Sequence, residues 1–447
     1  MGDHESRLLV DALYGLQTLD HFLADLIEQP EVQRLRDVRL SNINSSTLPG
    51  AANISRFEHS VGTALLAGRT ARILNLDNSD RHKLVLAALL HDVAITPYGH
   101  LMEEGFAYAE MRYDHEGRLL QILQGEAEHG THDYQIFRGQ SVGFRKVLSR
   151  RPYSTLGIDP AEIMLIIQGR GRLGPLINGS IDLDNIDNVC RMAYHIGIPH
   201  RRGLPGDLAQ IFTSRNKTIR LRGDKVDLVN DWLNLRFRLY STLMTNATDF
   251  SAKAMLVEAI RLGLCGAMDE SPVLSTSTWS LTDSDMMRLL GSYKPTAELV
   301  RRLETGDLFA LVGLNWIDAD RLVSVYSDIP TACRGLRHEV ATKSRINADD
   351  ILFYGIRDKR FRLISPDRWA GLDDSSKLSK HGDSKRQILL GCVVGKGSHV
   401  ARVRKVLLAE IESRFGADSY KPCDSDALLE SAFDNDISMP GSRGSLF

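Results

Sequence analysis

The stretch from Leu84 to His100, LVLAALLHDVAITPYGH, constrains the fold more than any other part of this 447-residue chain. Its first seven residues are all apolar, which is typical of a helix that is buried on every side. The Thr-Pro-Tyr-Gly sequence near its end predicts that the helix stops before it. His91 and Asp92 therefore lie at a buried helix end. An unpaired buried carboxylate is costly, so a cation, a metal ion or several donors must compensate it.

Taken alone, the His-Asp pair has two interpretations. A divalent ion would satisfy both side chains, but neighbours on a helix point about 100° apart, so other elements would have to complete the coordination. Alternatively, His91 caps the end of the helix and Asp92 caps the next turn. Capping is the more frequent role of an isolated pair, because short motifs have many false positives.

Apolar residues at helical spacing recur along the chain and predict a mainly α-helical core. Residues 5–40 have this spacing, and Pro30 is expected to open a second helix there. Residues 42–53, rich in Ser, Asn, Gly and Pro, predict a loop. Further helices are expected in the following segments: 55–74, 84–90, 101–110, 113–123, 161–169, 180–198, two between 226 and 264, one from about 282, and a helix and turn over 296–313.

Four potential metal ligands fall on three of these predicted helices: His59, His91 with Asp92, and Asp184. Ligands in a helix bundle project from facing helices in this way. Two imidazoles and two carboxylates suit Mn, Fe, Zn or Ni, and Mg less well. The sequence thus favours the metal interpretation of the His-Asp pair.

Two neighbouring patterns accompany these ligands. Arg56 lies one helical turn before His59, on the same face. If the segment after Ser180 is helical, Asp184, Asp187 and Arg191 share one side at i, i+3 and i+7.

The pattern changes after about residue 347. DILFYGI, FRLI and QILLGCVV predict strands, and HVARVRKVLLAEIESRF predicts a helix. We expect a core with a helical extension over residues 1–345 and a small α+β appendage over 346–415. Residues 416–447 are rich in Ser and Asp and are expected to form a flexible tail.

The composition excludes several classes of protein. The net charge is −2, so no global basic field indicates nucleic acid, although local patches are possible. No apolar run reaches the ~18 residues of a membrane span, and the first residues lack the pattern of a secretory signal. The five cysteines form no CxxC pair, which argues against structural zinc and a disulfide framework. We expect a cytoplasmic protein that does not bind membranes.

The order of motifs resembles the HD-domain superfamily of metal-dependent phosphohydrolases, whose signature is H…HD…D. The resemblance is closest to the deoxynucleoside triphosphate (dNTP) triphosphohydrolases of the SAM-and-HD-domain type, although the chain has no SAM domain. The resemblance covers about residues 8–315. It rests on six motifs: QRLR, the PGA loop, RFEHS, HDVAITPYGH, YDHEG and IDLDNIDNVCRMAYHIGI. It implies a multi-helix HD bundle with the small α+β appendage at its C-terminus.

The resemblance also implies roles for single residues. The metal ligands would be His59, His91, Asp92 and Asp184. Arg56 would contact phosphate, as a guanidinium fork suits paired phosphate oxygens. His100 and His115 would face the substrate and donate a proton to a phosphate oxygen or to the leaving group; without the resemblance, His115 is read as a helix-start residue paired with Glu116.

Asp187 and Arg191 match the family's Asp and Arg. They would bind the substrate or, equally, form a supporting ion pair.

The chain departs from the family at residues that would contact the substrate. Ile95 stands where such proteins commonly have a further histidine, in a loop where Ala94 replaces glycine. Asn188 replaces the tyrosine that packs on the deoxyribose, Met192 replaces an aspartate, and Leu40 replaces a glutamine near the base. An isoleucine cannot hydrogen-bond a phosphate. These departures weaken the prediction of dNTP specificity more than that of hydrolysis.

The favoured hypothesis is a dNTP-triphosphohydrolase-like enzyme. It would use a divalent ion (Mn, Fe, Zn, Ni, Co or Mg) to activate a water for attack on phosphorus. Asp184 or an acid behind the metal ligands would orient that water, and His115, then His100, would protonate the leaving group. The resemblance also implies a homo-oligomer.

Two alternatives remain open. The first is an HD-type phosphomonoesterase, phosphodiesterase or nuclease, for which Arg145, Lys146, Arg150, Arg151, Arg170 and Arg172 would supply a basic groove. The second is a nucleotide sensor with weak hydrolysis. Ile95, Asn188 and Met192 favour the sensor, whereas the four retained ligands argue against it.

Overall fold

The computed structural model describes residues 7–41, 47–124, 148, 153–201, 203–215, 218–266, 271–365, 368–371 and 386–433. The chain is mainly α-helical with small sheets, so the predicted fold class is confirmed. The described α-helices are, in chain order, α1 (His21–Ile27), α2 (Pro30–Arg34), α3 (Pro49–Ala52), α4 (Arg56–Ile73), α5 (Asn78–Leu90), α6 (His100–Tyr108), α7 (His115–Gln124), α8 (Pro160–Ile167), α9 (Leu183–His195), α10 (Leu204–Leu208), α11 (Val226–Thr245), α12 (Ala247–Cys265), α13 (Asp283–Ser292), α14 (Lys294–Thr305), α15 (Ala319–Tyr326), α16 (Ile329–Ser344), α17 (Val400–Phe415) and α18 (Ser425–Phe433).

The strands form three small sheets. They are β1 (Arg7–Asp11), β2 (Gly15–Leu19), β3 (Phe212–Arg215), β4 (Thr218–Arg222), β5 (Ala310–Asp318), β6 (Ile351–Arg357), β7 (Trp369–Ala370), β8 (Gln387–Val394) and β9 (Tyr420–Pro422). Strands β1 and β2 form a hairpin, and β7 joins β3 and β4. The largest sheet has the order β6-β8-β5-β9, and all of its neighbours are antiparallel.

Helices α4, α5 and α9 form the part of the core that positions the site. Each starts at a side-chain cap: Ser55 accepts from the Glu58 N–H, Asp77 from the Asp80 N–H, and Asp182 from the Asn185 N–H. Such caps satisfy donors that a helix start leaves free. Helix α4 packs against both α5 and α9, so residues from all three helices meet.

The N-terminal prediction was partly wrong. The sequence predicts helices from residue 5, but the chain first forms the β1–β2 hairpin. The Asp11 carboxylate accepts hydrogen bonds from the Leu13 and Tyr14 N–H groups, and Gly15 has a φ of 67°. These local features make a turn. Leu8 and Val10 are exposed, so these apolar residues do not mark the buried face of a helix.

Two predictions near the C-terminus were also wrong. The helix and turn expected over residues 296–313 end at Gly306, and Ala310–Asp318 forms β5. This strand pairs with β8, which follows more than sixty residues later, so no local signal specifies it. FRLI (361–364) is not a strand; its Arg362 is instead held by Asn185 and Asp182.

The predicted division into domains stays a prediction. The predicted strands DILFYGI and QILLGCVV are present as β6 and β8, but their sheet also takes in β5, which precedes residue 346. Within the predicted tail, the structure describes β9 and α18, and α18 packs against α11. Residues 434–447 of that tail lie outside the described residues, as do Arg145, Lys146, Arg150 and Arg151 of the predicted basic groove.

Among the described residues, no helix is both long enough and apolar enough to cross a membrane.

Candidate metal centre and adjoining pocket

Arg34 on α2 holds the stretch from His91 to Gly99 in place. Helix α5 ends at Leu90, and the chain then turns through residues that are almost completely buried. The fully buried guanidinium of Arg34 donates to the carbonyl oxygens of Val93, Ile95 and Leu281. A buried loop must have its carbonyl groups paired, and Arg34 does this for the loop that carries His91 and Asp92.

His59, His91 and Asp184 form a cluster whose potential ligand atoms all lie within 4.8 Å of one another. His59 Nε2 is 3.2 Å from His91 Nε2 and 3.0 Å from Asp184 Oδ1. The His91 Nε2 to Asp184 Oδ1 distance is 3.6 Å. Two ligands that are each about 2.1 Å from one ion stand roughly 3.0–3.4 Å apart. Two of the three separations match this range and the His91–Asp184 separation is slightly longer, so the three atoms are placed to share one ion.

The hydrogen bonds of the two imidazoles fix their tautomers. His91 Nδ1 is 2.8 Å from the Ala88 carbonyl oxygen, which can only accept, so Nδ1 carries the hydrogen. His59 Nδ1 is 2.9 Å from the Asp187 carboxylate and likewise donates. In the neutral rings both Nε2 atoms therefore bear lone pairs, and these lone pairs face each other. A bound cation removes that repulsion, so the donor set fits a divalent metal ion.

The electrostatics of the cluster also favour positive charge. Burial lowers the pKa of His59, but hydrogen bonds to Asp184 and Asp187 outweigh it and raise this pKa to about 9. Burial similarly lowers the pKa of His91, and the charges of Asp92 and Asp184 raise it overall. Burial raises the pKa of Asp184, but both histidines hold it well below its usual range. The cluster thus stabilises a cation at its centre.

Asp92 is paired with Arg56. The Arg56 guanidinium donates to Asp92 Oδ2, which also lies 3.6 Å from His91 Nε2. Burial raises the pKa of Asp92, but Arg56 and the histidines bring it below its usual range. The sequence predicted a metal ligand and a phosphate contact here. The structure places both residues beside the cluster, with each side chain directed at the other.

Asp187 and Arg191 lie behind His59. Arg191 is fully buried and pairs with Asp187, whose carboxylate it meets at 2.9 Å, and with Asp11 at 3.1 Å. The Tyr14 hydroxyl donates to Asp187 Oδ2 at 2.9 Å. Of the two roles left open by the sequence, this arrangement corresponds to the supporting ion pair, since Asp187 orients the ring of His59.

The two predicted acid histidines share one carboxylate. His100 Nδ1 is 2.8 Å from Glu103, and His115 Nδ1 is 2.7 Å from the other oxygen of that carboxylate. Burial lowers the pKa of His115, but the hydrogen bond to Glu103 raises it overall. Burial raises the pKa of Glu103, and the two histidines lower it to about 2. The Glu116 pairing considered for His115 is not the contact that forms.

A pocket adjoins the cluster. Arg56, Asp92, His100 and Asp184 line it near the cluster, and further residues complete its wall: Leu40, Ser41, Leu101, Glu104, Asn188, Met192, Tyr240, Leu243, Met244, Lys253, Tyr354, Ile356 and Lys359. Ile95 is fully buried and is not part of this lining.

Sequence reasoning missed residues in and near the pocket, and most of their contacts join segments that are far apart in the chain. Tyr354 on β6 donates to Glu104 on α6, and Lys253 pairs with Asp249. Arg236 and Arg362 both donate to the Asn185 amide oxygen, at 3.1 and 2.8 Å. The apolar patterns of DILFYGI and of α11 predict a strand and a helix. Neither pattern indicates which of their side chains reach the site.

Comparison with known proteins agrees with this geometry. Residues 56–147 match the model of the HD domain family. An uncharacterised Bacillus subtilis protein, YwfO, is 26% identical over 262 residues, or 57% of this chain and 55% of the relative. An uncharacterised Methanocaldococcus jannaschii protein, MJ1154, is 25% identical over 57% of this chain and 49% of the relative.

Proteins named deoxynucleoside triphosphate triphosphohydrolase SAMHD1 are also similar. The Bos taurus protein is 23% identical over 404 residues, which are 79% of this chain and 68% of the relative. The chain spans about half the length of YwfO and MJ1154. The recognition of an HD domain from the sequence is confirmed.

Proposed function

We propose that this HD-domain protein is a metal-dependent phosphohydrolase that acts on nucleotides, with cleavage of the dNTP-triphosphohydrolase type. One observation carries the proposal. Two imidazole Nε2 lone pairs and the Asp184 carboxylate converge on one point, and this point adjoins a pocket with both cationic and apolar walls. Such a pocket suits a ligand that has an anionic end and an apolar end.

His59, His91 and Asp184 would hold the ion, and the nearby carboxylate of Asp92 is the fourth candidate ligand. When bound, a divalent ion supplies a Lewis acid for a phosphoryl oxygen and an acidified water. Side chains would bind the phosphate and protonate the leaving group. Arg56 would bind a phosphate oxygen by exchanging part of its contact with Asp92, because a guanidinium has more donors than one carboxylate uses.

Cleavage of the triphosphohydrolase type forms a bond between water oxygen and the α-phosphorus and breaks the bond to the 5′-oxygen. The attacking water gives one proton to the solvent, and the 5′-oxygen takes up one proton. His115 would donate it from Nε2, because Nδ1 is engaged by Glu103 and the hydrogen bond to this carboxylate raises the pKa of the imidazole. His100, held by the same carboxylate, is the second donor.

The most specific element of the proposed reaction is the release of intact triphosphate. It is supported by the SAMHD1 relatives, whose names state dNTP triphosphohydrolase activity, and by the retained histidines and carboxylates. It is weakened by Ile95, because a fully buried isoleucine supplies no donor to the phosphates.

The experiment is a product assay on the purified full-length chain. Nucleoside mono-, di- and triphosphates and a single-stranded oligonucleotide are incubated with Mn, Mg, Fe or Co, and phosphate, pyrophosphate and triphosphate are quantified. Triphosphate release that depends on the metal and is lost in Asp184→Asn supports the proposal. Release of phosphate alone, or cleavage of the oligonucleotide alone, would replace it with the phosphatase or nuclease alternative.

A nucleotide sensor would bind nucleotides in the same assay without turnover. His115→Ala provides the matched variant, since it removes the proposed proton donor and leaves the metal cluster unchanged. We expect turnover by His115→Ala to fall by about 10²- to 10⁴-fold. Equal and negligible turnover of both proteins, with retained nucleotide binding, would favour the sensor.

A further inference from the structure

Three residues on one face of α9 line the pocket in a defined order. Asp184, Asn188 and Met192 are spaced at i, i+4 and i+8, and all three belong to the wall. Successive members are therefore about one helical turn apart, or roughly 6 Å. Along this face the wall changes from a carboxylate of the metal cluster, to a neutral amide, to an apolar thioether.

This order matches the order of polarity along a nucleotide, in which phosphate, sugar and base follow one another. With the phosphate at the cluster, a sugar attached to it reaches the level of Asn188. The base then reaches Met192, a flexible apolar side chain that packs against many shapes. Tyr240 lies in the same pocket, and the Arg236 guanidinium, 4.4 Å from its ring centroid, packs on it.

Asn188 lacks a hydrogen-bond partner that its position requires. Its amide oxygen is buried and accepts no hydrogen bond from any described residue. Buried polar atoms without a partner are costly, by about 1–3 kcal/mol each. Asn185, its neighbour on α9, in contrast accepts from two guanidinium groups. A rotation of the amide toward the pocket that Asn188 lines would bring this oxygen to a ligand donor at the level of the sugar.

We propose that Asn188 recognises the vicinal 2′- and 3′-hydroxyl groups of a ribose, so that the enzyme prefers ribonucleotides to deoxyribonucleotides. The amide has a donor and an acceptor side by side, and a hydroxyl both donates and accepts, so the two groups complement each other. This inference rests on the proposed nucleotide hydrolysis and specifies its substrate. Removal of either hydroxyl would leave one half of the amide unpaired.

The test compares each ribonucleoside triphosphate with its 2′-deoxy and 3′-deoxy forms in the product assay. We expect kcat/KM to be about 10- to 100-fold higher for the ribonucleotide, because sites built to bond a hydroxyl discriminate against its absence. In Asn188→Leu, which has similar volume and no hydrogen-bonding group, this preference should fall to about unity. In Asn188→Ser, part of it should remain.

Gln121→Leu is the matched control, since it removes an exposed amide on α7 and should keep the wild-type preference. A wild-type enzyme that prefers deoxyribonucleotides, or that treats the pairs equally, would overturn the inference while leaving the proposed hydrolysis intact. So would a ribose preference that survives in Asn188→Leu. If no nucleotide is hydrolysed, the proposed function fails. In that case the affinities of the ribonucleotides and of their deoxy forms are compared by calorimetry. A ribonucleotide preference that is lost in Asn188→Leu supports the inference, and equal affinities overturn it.

Discussion

His59 and His91 each use one ring nitrogen for a protein acceptor and direct the other toward the same point. This division of roles depends on Asp187 and on the Ala88 carbonyl oxygen. It leaves two Nε2 lone pairs facing each other across 3.2 Å in a buried site, an arrangement that a bound cation stabilises. The tautomer, and with it the metal-binding capacity, is therefore set by residues that touch no ligand.

Glu103 should control the proton donors without controlling the metal. Glu103→Gln weakens the hold on both His100 and His115, and it removes the charge that raises the pKa of His115. We expect kcat to fall by about 10- to 100-fold and the alkaline limb of the pH profile to move to lower pH. Metal content, measured by mass spectrometry, should not change. Glu110→Gln, whose side chain is 75% exposed, is the control; a loss of metal in Glu103→Gln would contradict this assignment.

Glu31 should make the stability of the fold fall as pH rises. It is fully buried, neither carboxylate oxygen has a partner among the described residues, and burial raises its pKa from 4.5 to about 7. Between pH 4.5 and 7 the native state keeps a proton that the unfolded state loses, so unfolding free energy declines across this window and stays low above it.

Glu31→Gln removes this effect. The variant and the wild type should have similar unfolding free energies at pH 4.5, and the variant should be more stable at pH 8 by about 3 kcal/mol at most. Urea denaturation at the two pH values measures the difference. A variant that is less stable than wild type at pH 8 would show that Glu31 has a charged partner there.

At the scale of elements, the local signals around the site were sufficient for prediction. The apolar run before His91 and the caps Ser55 and Asp182 specify helices α5, α4 and α9, so the convergence of His59, His91 and Asp184 could be predicted. The pairing of Asp92 with Arg56 could not, because two residues 36 positions apart leave no pattern. The β1–β2 hairpin and β5 were missed because an Asx turn and a distant strand partner decide them.

The turn between α5 and α6 depends on one glycine. Gly99 has a φ of 55°, and a Cβ placed there would overlap the Arg56 guanidinium. Gly99→Ala should therefore displace Arg56 from Asp92, destabilise the fold by about 1–3 kcal/mol, and lower kcat/KM. Thermal unfolding and the product assay measure both effects.

Gly68→Ala is the matched control on α4. Its Cβ would meet its nearest atom, Val85 Cγ2, at 3.8 Å, and alanine is favoured over glycine inside a helix by about 0.5–1 kcal/mol. We expect unchanged activity and equal or higher stability. If Gly99→Ala behaves in the same way as Gly68→Ala, the turn is not what positions Arg56.

At the scale of the whole molecule, the pocket joins the two parts of the chain that the sequence separated. Asp92 and Asp184 come from the helical core, whereas Tyr354, Ile356 and Lys359 come from β6 and the residues after it. The buried apolar residues form two clusters, one around α4, α5 and α9 and one around α12 and the largest sheet. The proposed pocket lies between elements of both. The homo-oligomer and the cytoplasmic location stay predictions.

Metal content shows whether His59, His91 and Asp184 bind a divalent ion. The wild-type chain and the variants His91→Ala and His338→Ala are loaded with Mn, dialysed and assayed by mass spectrometry. His338 is exposed on α16 and serves as the control. We expect about one ion per chain in wild type and His338→Ala and at least a tenfold loss in His91→Ala. An equal metal content in all three proteins would contradict it.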